Sequence, residues 1–139
     1  MVEYLTGNLL TYNNLFKFAF IRLLMVECIF CKIVRGEIPA KRIYENDNFF
    51  SIPDANPVVS GHSLIISKKH YETVFDLPKN ISNDLIDCIK QTAKQIMKKE
   101  NAGGFNVINN NFEVAGQVVK HVHFHIIPRK KGDGLKILA

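Results

Sequence analysis

With 139 residues and 47% hydrophobic side chains, the chain is sized for one domain around one core, which excludes a multidomain architecture. Charged residues make up 22% and no uninterrupted apolar stretch nears the roughly 20 residues that span a bilayer, which excludes disorder and a transmembrane helix. A formal net charge of +5 and a pI near 9.2 favour anionic ligands: nucleotides, nucleic acid or a membrane surface.

The segment from Leu15 to Val26 is strongly apolar but is interrupted by Lys17 and Arg22. An amphipathic arm, an oligomer contact and a targeting element all suit it. Met25 offers a second start, so residues 1–25 read as a dispensable extension ahead of a domain over 26–139. Three cysteines, Cys28, Cys31 and Cys88, are too few and too oddly numbered for a disulfide framework, which points to a reducing, cytoplasmic compartment.

In CIFCKIVRG, Ile29, Phe30 and Ile33 stand at helical spacing before Gly36 and Pro39, predicting one short helix. Short β-prone runs follow at 41–45, 48–52 and 63–67, separated by turn-forming residues. From Ile81 to Glu100, Ile81, Leu85, Ile86, Ile89, Ala93, Ile96 and Met97 recur on one helical face, closed by Lys98, Lys99 and Gly103. Cys88 lies among them as a small buried hydrophobe. Strands are then expected at 104–109 and 118–127, the second ending at Pro128. Short strands with one long helix predict an α+β fold, an antiparallel sheet packed by one long and one short helix. The tail PRKKGDGLKILA is expected on the surface or against a neighbouring subunit.

His121, His123 and His125 alternate in HVHFHII, so an extended strand places three imidazoles on one face and Val122, Phe124 and Ile126 on the other. A merely solvated face would more naturally carry lysine or threonine. A metal site and nucleophilic or acid/base catalysis remain. Just upstream, AGQVV supplies a close-approach glycine, an amide donor and loop N–H groups, which suits phosphate chemistry better. By itself His62 reads as a structural histidine, and Cys28-Ile-Phe-Cys31 equally as a zinc half-site or two buried thiols.

The run AGQVVKHVHFHIIPRKKGD resembles the signature of the histidine triad (HIT) family. CIFCKIVRGEIPAKRIYEND, DANPVVSGHSLIISKKH and NVINNNFEVAGQ resemble further family segments in family order, so the likeness covers about residues 26–134. It implies a HIT-like fold and attack by His123 on the α-phosphate of a nucleotide, giving a nucleotidyl-histidine that water hydrolyses. His125 and His62 match supporting histidines. Asp54 matches a ribose-binding position, Asn110, Gly116 and Gln117 match phosphate contacts, and Ile29, Phe30 and Ile33 match the base pocket. The resemblance further implies a homodimer, a purine nucleotide substrate, and a structural zinc on Cys28, Cys31, His70 and His121, with no organic cofactor.

Two positions depart from the pattern. Val118 stands where serine or threonine is usual near the leaving group, leaving its backbone N–H as the donor. Phe112 replaces a commonly small residue and narrows the phosphate approach. The expected function is hydrolysis or transfer at the α-phosphate of AMP conjugates, phosphoramidates or dinucleoside polyphosphates. Val118 keeps alive a nucleotide-binding, zinc-stabilised interaction protein with vestigial catalysis. A nucleic-acid binder rests on net charge alone and lacks exposed aromatics on a basic stripe, and no membrane partner is expected.

Overall fold

The computed structural model describes residues 28–136; the apolar segment and extension read at 1–25 lie outside them. A short helix α1 (Ile29–Val34) is followed by strands β1 (Tyr44–Glu45), β2 (Phe49–Pro53) and β3 (Ser63–Ser67). The long helix α2 (Ser82–Glu100) then leads to β4 (Gly104–Ile108) and β5 (His123–Arg129). Among the described residues these strands form one antiparallel sheet in the order β1-β2-β3-β5-β4. The crossing through α2 carries the chain to the far edge, and β5 returns between β4 and β3. The α+β architecture matches the expected one.

Both sheet faces are covered, which explains why β2 and β3 read as continuous apolar runs rather than as alternating ones. On one face Phe49, Ile65, Val122, Phe124 and Ile126 pack with Cys88, Ala93 and Ile96 of α2. On the other, Phe50, Ile52, Leu64 and Ile66 pack with Phe30 and Ile33 of α1. Thr92 Oγ1 donates to Ser51 Oγ at 2.7 Å, pairing two buried hydroxyls between α2 and β2. Asn101, with φ 52°, takes the left-handed position that ends α2, ahead of the expected Gly103.

The last strand differs most from its sequence reading. It begins at His123 rather than 118 and continues through Pro128 to Arg129. β3 has ended at Ser67, whose carbonyl is occupied by the His121 ring at 2.8 Å, so residues before His123 have no ladder to join. Pro128 lies beyond Ile126, the last residue of β5 that β3 pairs, where a missing N–H costs little. The tail folds back at once: Arg129 holds Asp133 through Nε at 2.7 Å and through its terminal nitrogen at 2.9 Å.

Candidate active site and metal centre

His121, just outside the strand, separates from the other two histidines of the triad, so the expected row of three equivalent rings becomes two sites. Leu64 pairs with His125 and Ile66 with His123, placing both rings on the α1 side of the sheet. His123 is 7% exposed, and its ring meets Phe30 edge-on at 5.2 Å. Its Nδ1 lies 2.7 Å from the His121 carbonyl oxygen. A carbonyl only accepts, so Nδ1 carries the hydrogen and Nε2 keeps its lone pair, the state a nucleophile requires. Asn109 Nδ2 donates to the His123 carbonyl at 2.9 Å, continuing with a side chain where the β4 ladder stops.

The same accounting orders His62 and His125. The Val58 N–H donates to His62 Nδ1 at 3.2 Å, which places the His62 hydrogen on Nε2. That Nε2 lies 2.9 Å from His125 Nδ1 and 3.3 Å from Asp54 Oδ2. His125 Nδ1 is therefore an acceptor, and its own N–H sits at Nε2. Although Asp54, His62 and His125 could group around a cation, a ring that accepts at Nδ1 and carries hydrogen at Nε2 has no lone pair left for one. Burial lowers His125 to about 4, helped by His123 and His62 and opposed by Asp54. Burial also lowers His62, against the pull of Asp54. Both rings are neutral at neutral pH.

On the other side of His123, Cys28, Cys31, His70 and His121 converge, all ligand atoms within 4.8 Å of one another. Cys28 Sγ and Cys31 Sγ lie 3.3 and 3.6 Å from His121 Nδ1. Cys31 Sγ is 3.3 Å from His70 Nδ1, and the two Nδ1 atoms are 3.1 Å apart. Zinc bonds of about 2.0 Å to nitrogen and 2.3 Å to sulfur give tetrahedral edges of roughly 3.3 Å between nitrogens, 3.5 Å between nitrogen and sulfur and 3.8 Å between sulfurs, so the spacing fits such an ion. His121 Nε2 donates to the Ser67 carbonyl, which turns the Nδ1 lone pair inward. Burial, reinforced by Cys28, pushes the Cys31 thiol up to about 12, so a thiolate here needs a cation's charge.

The loop between β4 and β5 completes the site. Gly116 turns it with φ 88°. The Gln117 side chain is committed inward, in contrast to its reading as a phosphate donor. Its Oε1 accepts the Phe112 N–H at 2.8 Å and its amide nitrogen donates to the carbonyls of Glu72 at 2.6 Å and Val119 at 3.2 Å. Val118 is 91% exposed, and Ile29 faces solvent while Phe30 and Ile33 are buried. The Asn110 amide lies 3.7 Å from where a Gly116 Cβ would stand, which keeps these two together. Asn109, Asn111 and Ser67 were not singled out in the sequence; the run Asn109-Asn110-Asn111 directly after an apolar strand was the available signal for the first two.

Comparison with known proteins agrees with this geometry. The HIT domain model matches residues 35–132. An uncharacterized HIT-like protein of Methanocaldococcus jannaschii is 50% identical over 107 residues, covering 77% of this chain and 82% of its own. The adenylylsulfatase HINT3 of Arabidopsis thaliana is 43% identical over 109 residues, 78% of this chain, which spans only 55% of that longer protein. The crystal structure of a zinc-bound histidine triad family protein from Mycobacterium smegmatis superposes with TM-score 0.75 at 36% identity, covering 81% of this chain and 82% of its own. Two histidines of a triad on one strand, a third turned to a Cys/His cluster, and these likenesses together place the chain in the histidine triad (HIT) family.

Proposed function

We propose that this chain is a hydrolase or transferase that cleaves nucleoside monophosphate conjugates at the α-phosphate through a nucleotidyl-histidine intermediate. The observation that carries the reading is the tautomer of His123: Nδ1–H on the His121 carbonyl, lone pair on Nε2. Nε2 forms a bond to phosphorus while the bond to the leaving group breaks. A substrate phosphate beside His125 adds negative charge that draws a proton onto the His62–His125 pair, opposing the effect of burial. His125 Nε2 passes that proton to the leaving group as it departs with its electron pair. Water then attacks the intermediate, frees the nucleotide and returns one proton to the pair. The named activity of the Arabidopsis relative, on an adenylyl group joined to sulfate, supports this substrate class.

Phe30 and Ile33 form the apolar wall for the base, proposed to be a purine. Asp54, 16% exposed, is the proposed ribose acceptor, and the Asn110 amide and the Val118 N–H the phosphate donors, beside the close-approach backbone of Gly116. Cys28, Cys31, His70 and His121 would hold zinc, whose contribution is structural. The molecule is proposed to act as a cytoplasmic homodimer. In support, edge strand β4, unpaired on its outer side among the described residues, exposes Phe105 by 39% and Val107 by 42%, an apolar edge suited to a second copy. Two chains in sedimentation are expected; a monomer at micromolar concentration removes that part.

The deciding experiment measures AMP release from AMP esters, phosphoramidates and dinucleoside polyphosphates. His123→Ala is expected to lower release by a factor on the order of 10³ or more while nucleotide binding stays within roughly tenfold. His125→Ala should be milder. Binding without turnover by the parent protein would instead leave a nucleotide-binding protein with vestigial catalysis.

A further inference from the structure

Phe112 stands in a backbone conformation that belongs to glycine. Its φ of 69° and ψ of 158° lie where a Cβ crowds its own backbone. The surrounding loop imposes this conformation: the Phe112 N–H is held by Gln117 Oε1 at 2.8 Å, and its carbonyl accepts from the N–H groups of Ala115 and Gln117, each at 3.1 Å. The ring gains little burial in return. It is 52% exposed, and Phe75, which it meets at 6.2 Å between centroids, is 82% exposed. The loop's hydrogen bonds hold the strained backbone, while the exposed ring contributes little to packing, a combination that is typical of a ligand-contacting position.

Side-chain amides tie the two segments that carry these rings to the His123 backbone. Asn109 donates to the His123 carbonyl at 2.9 Å, and Asn111 donates to Asn109 Oδ1. Asn111 Oδ1 in turn accepts the Val74 N–H at 2.8 Å, which fixes the short 3₁₀ turn Val74–Asp76 carrying Phe75. The base side of the site is built from α1, where Phe30 touches His123. Phe112 lies instead in the β4–β5 loop between the proposed phosphate contacts Asn110 and Gly116, and Phe75 in the turn tied to that loop through Asn111.

We propose that Phe75 and Phe112 form a subsite for a planar aromatic leaving group, so that the protein favours nucleotide conjugates whose departing amine or alcohol carries an aromatic ring. This rests on the hydrolase reading above. Two aromatic faces inclined at 48° offer a stacking surface and an edge to a flat ring. They also make a hydroxyl at position 118 dispensable for holding such a leaving group, because orientation comes from the rings.

The test compares adenosine 5′-phosphoramidate with its N-naphthylmethyl derivative, using full-length protein. The ratio of kcat/KM, aromatic over unsubstituted, should fall about tenfold in Phe112→Gly and in Phe75→Ala, a loss typical of one stacking contact. Phe112→Gly should also melt no lower than the parent, since glycine relieves the backbone. An unchanged ratio in both variants, or a lower melting midpoint for Phe112→Gly, overturns the proposal. Equilibrium binding of the same two compounds to His123→Ala gives the subsite a readout independent of turnover. The aromatic compound should bind more tightly, and adding Phe112→Gly should cancel the difference. That difference without any turnover by the parent removes the hydrolase reading and keeps the subsite; equal binding of the two compounds removes the subsite.

Discussion

His125 and His62 show how a buried imidazole is kept neutral and still aimed. Burial lowers His125 from 6.5 to about 4, and lowers His62 in the same direction. The unfolded chain therefore binds more protons than the folded one between about pH 6.5 and 4, so these groups favour folding fully above that window and cease to do so as pH falls through it. Denaturant midpoints should decline from pH 6.5 to 4. His125→Asn should flatten the decline, and an unaltered slope in that variant would show that His125 takes no part. The depressed value also makes a protonated His125 a willing donor once substrate charge has brought a proton to the pair, which is the property asked of it in catalysis.

At the scale of elements, glycines Gly61 and Gly116 have similar backbones and different surroundings. Both have positive φ, 87° and 88°. A Cβ on Gly61 would stand 2.6 Å from Glu100 Cγ and 3.0 Å from both Ile96 and Pro128, whereas on Gly116 it meets only the Asn110 amide at 3.7 Å. Gly61 thus seats the β2–β3 loop on the end of α2 and delivers His62, the next residue, to His125. Gly61→Ala should cost about 2–4 kcal/mol, as strain and overpacking add, and Gly116→Ala about 1–2 kcal/mol, from strain alone. Chemical denaturation of the two variants checks the order. AMP release should fall in Gly61→Ala even at temperatures where it stays folded, because the displaced loop carries His62.

For the molecule as a whole, the Cys/His cluster joins parts of the chain that the sheet does not. Cys28 stands at the N-cap of α1 and Cys31 within it, His70 comes from the segment after β3 and His121 from the approach to β5. α1 is only 6 residues long, too short to be stable by itself, so its position over His123 depends on the Phe30 and Ile33 contacts and on this cluster. Elemental analysis should give about one zinc per chain, with Cys28→Ser lowering both metal content and thermal stability. Metal-free protein of unchanged stability would refute the zinc reading. Because His121 also holds the His123 Nδ1–H through its carbonyl, metal removal should lower AMP release more than nucleotide affinity.

Periodicity and β-prone runs are enough to define α2 and β3, since such patterns are local properties of the chain, whereas burial of the sheet on both faces is a tertiary finding. The alternation of His123 and His125 likewise put both rings on one face before any neighbour was known. What required tertiary structure was everything set by pairing partners. β5 starts at His123 because β3 ends at Ser67, and the Ser67 carbonyl, 54 residues from His121, turns that ring away from the other two. By sequence Gln117 is a phosphate donor, but the carbonyl of Glu72, 45 residues away, takes its amide. The strain at Phe112 was equally hidden, because a side chain's identity does not reveal the φ that its loop demands. Local pattern assigned residues to elements and faces; long-range hydrogen bonds assigned each ring nitrogen its proton, and with it the roles proposed for the histidines.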